Sequence, residues 1–221
     1  TEQVFVENYC QQYPSHSIGT IGFGGDGALY VSGGDGASFN FVDYGQKGYP
    51  SKNPCGDPPG GVGATLTPPT AEGGALRSQD ILSLGDDVSF DGTVLRLDPT
   101  TGAPMPDNPL VGAGSSADDP IVAYGLRNPF RMTARPGTNE MWVGDVGWNE
   151  WEEVNRVAHT GDLSIENFGW PCFEGVGKQP GYQSAGLNLC TGLYGAPGTV
   201  TDPFYAYKHS NKVVPDEACG T

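Results

Sequence analysis

The sequence contains no apolar run of roughly 18 residues, so it encodes no membrane-spanning helix. Positive charge is scarce: 11 Lys and Arg stand against 26 Asp and Glu, a formal net charge of -15. Such a chain has nothing with which to release phosphate counterions, which excludes nucleic acid as a partner. Apolar residues are few as well, at 37%, below the share usual for a globular domain. The three histidines (His16, His159, His209) are scattered and no two of the five cysteines form a CxxC pair, which argues against a zinc site. No G-x-S-x-G elbow or carboxylate pair points to a hydrolase. Helical periodicity over a dozen residues is also missing; at most, Asn149 to Val154 reads as a turn or two of helix.

What fills the gap is glycine (35) and proline (19), with ten tyrosines, nine phenylalanines and four tryptophans. That aromatic content rules out disorder. Short β-rich runs between Gly/Pro punctuation describe an all-β domain with long loops. Strands are expected at Gln3–Val6, Thr20–Phe23, Ala28–Ser32, Thr93–Asp98, Ile121–Tyr124, Glu140–Val143 and Phe204–Tyr207. The Gly24–Gly27 turn joins two of them as a hairpin. It is not followed by a helix pattern, and neither is the GGDGAS run at Gly33, so neither is a phosphate loop. Residues 33–76 form a long insertion. Phe23–Gly36 can be laid on Arg135–Gly147, with Tyr30-Val31 over Trp142-Val143. Such a repeat fits a propeller or a sandwich.

Cysteines in Gly/Pro-rich loops under an acidic surface fit an oxidising, extracytoplasmic compartment. Cys172–Cys190 is the favoured disulfide, Cys10–Cys55 the next, and Cys219 is left over. The abrupt ends read as those of a piece of a longer chain.

Three places carry groups suited to chemistry. His16 lies in a polar loop before a strand, where an imidazole can remove a proton near neutrality; an exposed loop histidine is the plainer reading. Arg127 and Asn128 in GLRNPF offer a planar cation and an amide from one turn, because Pro129 biases Asn128 toward extended backbone; a salt bridge to one of many acids is the alternative. GDVGWNEWEE, from Gly144 to Glu153, combines carboxylates with glycines that expose carbonyls. It is balanced between a hard-cation site and a solvated acidic loop.

Taken together, HSIGTIGFGGDGALYVSGGDG, GTVLRLDPTTG, YGLRNPFR, WVGDVGWNEWEEVNRV and NFGWPCFEG resemble, in that order, the glucose/sorbosone dehydrogenase family. The resemblance implies an all-β fold, a six-bladed β-propeller when complete. Residues 1–221 would be a partial propeller domain, cut short on the C-terminal side and on the N-terminal side. It also implies pyrroloquinoline quinone (PQQ) and Ca2+ as cofactors, a sugar or polyol as substrate and an external electron acceptor. His16 falls at the catalytic base and Arg127 at the arginine beside quinone and substrate. Asn128 falls at a quinone contact. Gly147 and Trp148 fall where carbonyls bind the catalytic calcium, and Glu153 where a second, structural calcium is implicated. Ser15 stands where glucose-oxidising members carry an acid, and Val146 where they carry a glutamine. The lysine and arginines that clamp the quinone from later blades are absent from these residues. The contrasting expectation is a non-catalytic secreted propeller that binds carbohydrate or protein.

Overall fold

A computed structural model describes residues 2–83, 87–158, 160–161 and 164–211. His159 and Cys219, both noted above, lie outside the described residues.

Two antiparallel meanders follow one another along the chain. The first is β1 (Ile18–Phe23), β2 (Leu29–Gly33), β3 (Thr93–Leu97) and β4 (Ile121–Tyr124), with β8 (Glu166–Asn167) added parallel to β4. The second is β5 (Pro129–Ala134), β6 (Met141–Asp145), β7 (Trp151–Val157) and β11 (Tyr205–Lys208). The repeat seen in the sequence is this duplication: Tyr30-Val31 lies in β2 and Trp142-Val143 in β6, the second strand of each unit.

Alternation along the strands sorts side chains into two layers. Tyr30, Val94, Ala123, Met132, Met141, Val143 and Val157 pack between the two sheets. Val31, Leu95, Leu97, Ile121 and Tyr124 fill the opposite face of the first sheet. The first strand of the second unit, β5, meets both β1 and β2 of the first. Ser32 Oγ donates to the Pro129 carbonyl at 2.9 Å, and Met132 N–H donates to Thr20 Oγ1 at 3.1 Å.

Beyond the sheets, β9 (Phe173–Glu174) and β10 (Gly177–Lys178) form a small hairpin, followed by α1 (Pro180–Ala185) and α2 (Asn188–Tyr194). With the long loop, these close a third core around Leu66, Leu76, Trp170, Tyr182 and Leu193. Both favoured disulfides are present. Cys10–Cys55 spans 45 residues and Cys172–Cys190 spans 18. In the chain-entropy picture, loops of those lengths contribute about 4 and about 3 kcal/mol.

The structure corrects three sequence expectations. Residues 3–6 form no strand and pair with none among the described residues. Asn149–Val154 is not helical: its second half belongs to β7, where Val154, Asn155 and Val157 carry the strand into the core. Short helices do exist, at α1, α2 and a 3-10 helix over Gly74–Leu82. Each is too short for a periodic stripe to register. The 3-10 helix is held by charge as well as by Ala75 and Leu76 in the third core. Its buried Arg77 donates to Asp91 Oδ2 (2.6 Å), Asp57 Oδ2 (3.4 Å), Gln12 Oε1 (3.2 Å) and the carbonyls of Cys10 (3.3 Å) and Asp35 (3.2 Å).

Candidate active site

In an antiparallel hairpin, the start of the first strand and the end of the second lie side by side. Each meander therefore brings the loop before its first strand and the loop after its second to one end. In the first unit these loops carry His16 and Asp35. In the second they carry Arg127 with Asn128, and Asp145 through Trp148. Asp35 N–H donates to the Arg127 carbonyl at 2.8 Å, which joins the two sets of loops.

His16 is not an exposed loop histidine. Its side chain is 7% exposed, and Nδ1 lies 2.7 Å from Asp35 Oδ1. Asp35 Oδ1 also accepts from Ala37 N–H (2.9 Å), and Oδ2 accepts from Trp170 Nε1–H (2.7 Å). Burial pushes this carboxyl up, but the His16 hydrogen bond and charge, with Arg127 nearby, outweigh it and hold Asp35 below its ordinary range. An ionised carboxylate only accepts, so it is Nδ1–H that donates the hydrogen bond to Asp35.

Arg127 is buried, and its guanidinium is held by backbone oxygens rather than by an acid, contrary to the salt-bridge alternative. Its Nη1 donates to the carbonyls of Val146 (2.9 Å) and Gly147 (2.7 Å). The guanidinium sits 5.4 Å from the Trp170 ring centroid, within cation–π range. Trp170 stacks edge-on with Trp148 and Tyr182, giving an aromatic wall beside the cation. Asn128 is half-buried, and its backbone N–H is held by Asp145 Oδ1 at 2.6 Å.

Asp145 also takes the Arg127 N–H, through Oδ2 at 3.0 Å. Burial and the facing Glu153, its cross-strand partner, push Asp145 well above the usual carboxylate range. Burial raises Glu153 too, helped by Glu174 and Glu152. Glu153 Oε1 accepts from Gly175 N–H (2.6 Å) and Oε2 from Asn155 Nδ2–H (3.0 Å).

His16, Arg127, Gly147 and Trp148 thus share one site with Asn128 at its edge, whereas Glu153 lies behind Asp145. Sequence reasoning missed Asp35, Trp170 and Glu174. Asp35 had a signal: it follows β2 as Asp145 closes β6, so the repeat could have marked it.

The residues fit the implied groups. An anionic aromatic quinone asks for a cation and flat apolar walls, which Arg127, Trp148 and Trp170 provide. Among the described residues, no group of three or more His, Cys, Asp or Glu is placed to hold a metal ion. A hard cation would draw instead on backbone oxygens, and glycine at 147 permits the tight turn that exposes them. A Cβ there would meet the Trp151 carbonyl oxygen at 1.5 Å. Near Glu153, Asn155 Oδ1 and Glu174 Oε2 are buried without a hydrogen-bond donor. A cation is one of the few partners that would relieve both these oxygens and the raised carboxyls.

The sequence profile of the Glucose / Sorbosone dehydrogenase family matches residues 78–212, more than half of the chain. The aldose sugar dehydrogenase YliI of Escherichia coli (strain K12) is 35% identical over 65 residues, 29% of this chain and 16% of that protein. A putative oxidoreductase (glucose dehydrogenase) from Thermus thermophilus superposes with a TM-score of 0.54 at 24% identity, over 93% of this chain and 44% of that one. The soluble aldose sugar dehydrogenase of Escherichia coli, in its apo form, gives 0.51 at 20% identity, over 89% and 43%. The chain spans less than half the length of these relatives. These likenesses to solved structures carry the fold, and the profile match carries the family: this chain belongs to the glucose/sorbosone dehydrogenase family.

Proposed function

We propose that the complete protein is a quinoprotein sugar dehydrogenase, oxidising a sugar or polyol hydroxyl with PQQ and calcium and passing electrons to an external acceptor. The two meanders are then consecutive blades of a six-bladed propeller, with the site at one mouth of its channel. The two disulfides support an extracytoplasmic location.

The observation that carries this reading is the buried His16–Asp35 pair, 2.7 Å apart, beside Arg127 and the Trp170 ring. His16 Nε2 takes the proton of the substrate hydroxyl. Asp35 holds the ring's orientation and tautomer, and its charge stabilises the imidazolium that forms. Arg127 would supply fixed positive charge for the cofactor's carboxylates and for the oxyanion that develops. Asn128 would contact the quinone. Trp148 and Trp170 would exclude water and offer the quinone a flat apolar wall, with buried Tyr182 packed behind them. The quinone, when bound, supplies the hydride acceptor, and calcium, when bound, offsets charge on it. Gly147 and Trp148 would hold that calcium through their carbonyls, and Glu153 a second, structural one.

The test is an absorbance titration of the complete protein with PQQ and CaCl2, followed by dye reduction with aldoses. A saturable quinone spectrum is expected. His16→Ala should lower turnover at least ~100-fold while leaving that spectrum in place. If the complete protein binds no quinone, the enzyme reading is lost, and a propeller that binds carbohydrate or protein replaces it.

A further inference from the structure

The turn from Val146 to Trp151 offers its two polar edges to opposite sides. Its carbonyls at Val146 and Gly147 meet Arg127 Nη1. Its N–H groups face away. Gly147 N–H donates to Glu152 Oε2 at 3.2 Å. The next four converge on one atom, Glu174 Oε1: Trp148 at 2.8 Å, Asn149 at 2.9 Å, Glu150 at 3.1 Å and Trp151 at 3.3 Å.

A trans peptide is planar, with its C=O and N–H pointing in opposite directions. Fixing the Trp148 N–H on Glu174 therefore fixes the Gly147 carbonyl on the far side, where Arg127 meets it. Fixing the Asn149 N–H does the same for the Trp148 carbonyl. These are the two carbonyls assigned to calcium above. Convergent N–H groups form a nest for negative charge, so an ionised acceptor suits this place better than a neutral one.

Glu174 is itself held firmly. It is 4% exposed and sits in the β9–β10 hairpin, two residues after the Cys172–Cys190 disulfide. The next residue, Gly175, has φ +63, and a Cβ there would meet the Trp151 indole at 2.6 Å. Only glycine lets the hairpin come close enough to seat the carboxylate under the turn.

We propose that Glu174 is a positioning residue: its carboxylate aims the Gly147 and Trp148 carbonyls at the cofactor side and so sets affinity for the calcium ion there. The inference rests on the quinoprotein reading for its ligand, but not for its geometry.

The test compares the complete protein with Glu174→Gln and Glu174→Met by two measurements. One is hydrogen exchange of the 148–151 amides without ligand. The other is titration with CaCl2 in the presence of PQQ. In Glu174→Gln the amide oxygen still accepts but lacks charge. Exchange should quicken and calcium affinity fall about 5- to 10-fold, the difference between charged and neutral acceptors. Glu174→Met should lose more than ~100-fold, or fail to fold, in which case the glutamine variant decides. Parent-like calcium affinity in Glu174→Gln overturns the proposal, whatever the exchange shows. If the parent itself takes up no calcium, the quinoprotein reading fails. Faster exchange in Glu174→Gln then still upholds the orienting role, and unchanged exchange overturns it too.

Discussion

In the β1–β4 meander, the loop before the first strand presents His16, two residues ahead of Ile18. In the second meander the same loop presents Arg127, two residues ahead of Pro129. An aspartate follows the second strand of one and closes that of the other. Asp35 meets an imidazole, an indole N–H and a backbone N–H. Asp145 meets two backbone N–H groups and, across the ladder, another carboxylate. Both are buried, yet the first is held low and the second pushed high. Burial alone does not decide which carboxylate stays charged. The sign of the neighbouring side chain does. One unit's aspartate holds an imidazole, the other's holds a loop.

The sharpest way to break this comparison is to neutralise each aspartate in turn. Asp35→Asn should lower turnover of the reconstituted protein by ~10²- to 10⁴-fold, because an amide can hold the imidazole in the wrong tautomer. Quinone binding should persist. Asp145→Asn should cost far less turnover; a loss as large as that of Asp35→Asn would erase the distinction. Steady-state dye assays decide this.

The disulfides test the scaffolds behind the two sites. Cys10–Cys55 ties the loop that carries His16 to the long insertion, and Cys172–Cys190 anchors the hairpin that serves the second unit. Replacing each pair by serine should destabilise by about 4 and about 3 kcal/mol respectively, read from denaturant unfolding.

The two aspartates should also impose opposite pH slopes. Asp35 is lowered in the folded state, so its stabilisation is present above the unfolded value near 3.9 and is lost as pH falls through the folded value. Asp145 and Glu153 are raised, so the folded state binds more protons than the unfolded one. Their effect is the reverse: stability falls as pH rises from about 4 toward the raised folded values. Thermal melts in EDTA should show that fall, and Asp145→Asn should flatten it. Calcium should flatten it as well if it binds beside Glu153. The smallest effect is expected at the exposed Arg135–Glu140 pair in the β5–β6 turn. Arg135→Ala should leave the melting midpoint within experimental scatter.

Much of this was legible in the sequence, for identifiable reasons. Strands bounded by Gly and Pro announced themselves, and the Tyr30/Trp142 correspondence gave the duplication. His16, Arg127 and Gly147 sat in motifs that could be recognised. What stayed hidden depends on approach across the chain. Trp170 reaches Asp35 over 135 positions, and Glu174 reaches Trp148 over 26. Both lie in the recognisable NFGWPCFEG run, but nothing local says what they reach, because a glutamate beneath a turn looks like any surface acid. The helix expected at Asn149 failed because Trp151–Val157 is a strand whose polar residues find partners inside: Glu153 takes the Gly175 N–H, and Asn155 donates to Glu153.

The buried Arg77 has a consequence for how the molecule tolerates damage. One guanidinium grips the long loop through Asp57, the N-terminal stretch through Gln12 and Cys10, and the carbonyl of Asp35. His16 is thus linked, through Asp35, to a surface loop in which Val62 is 71% exposed. A protease nick there would remove no group from the site. It would reach the His16 partner all the same, and would look in an assay like an active-site lesion.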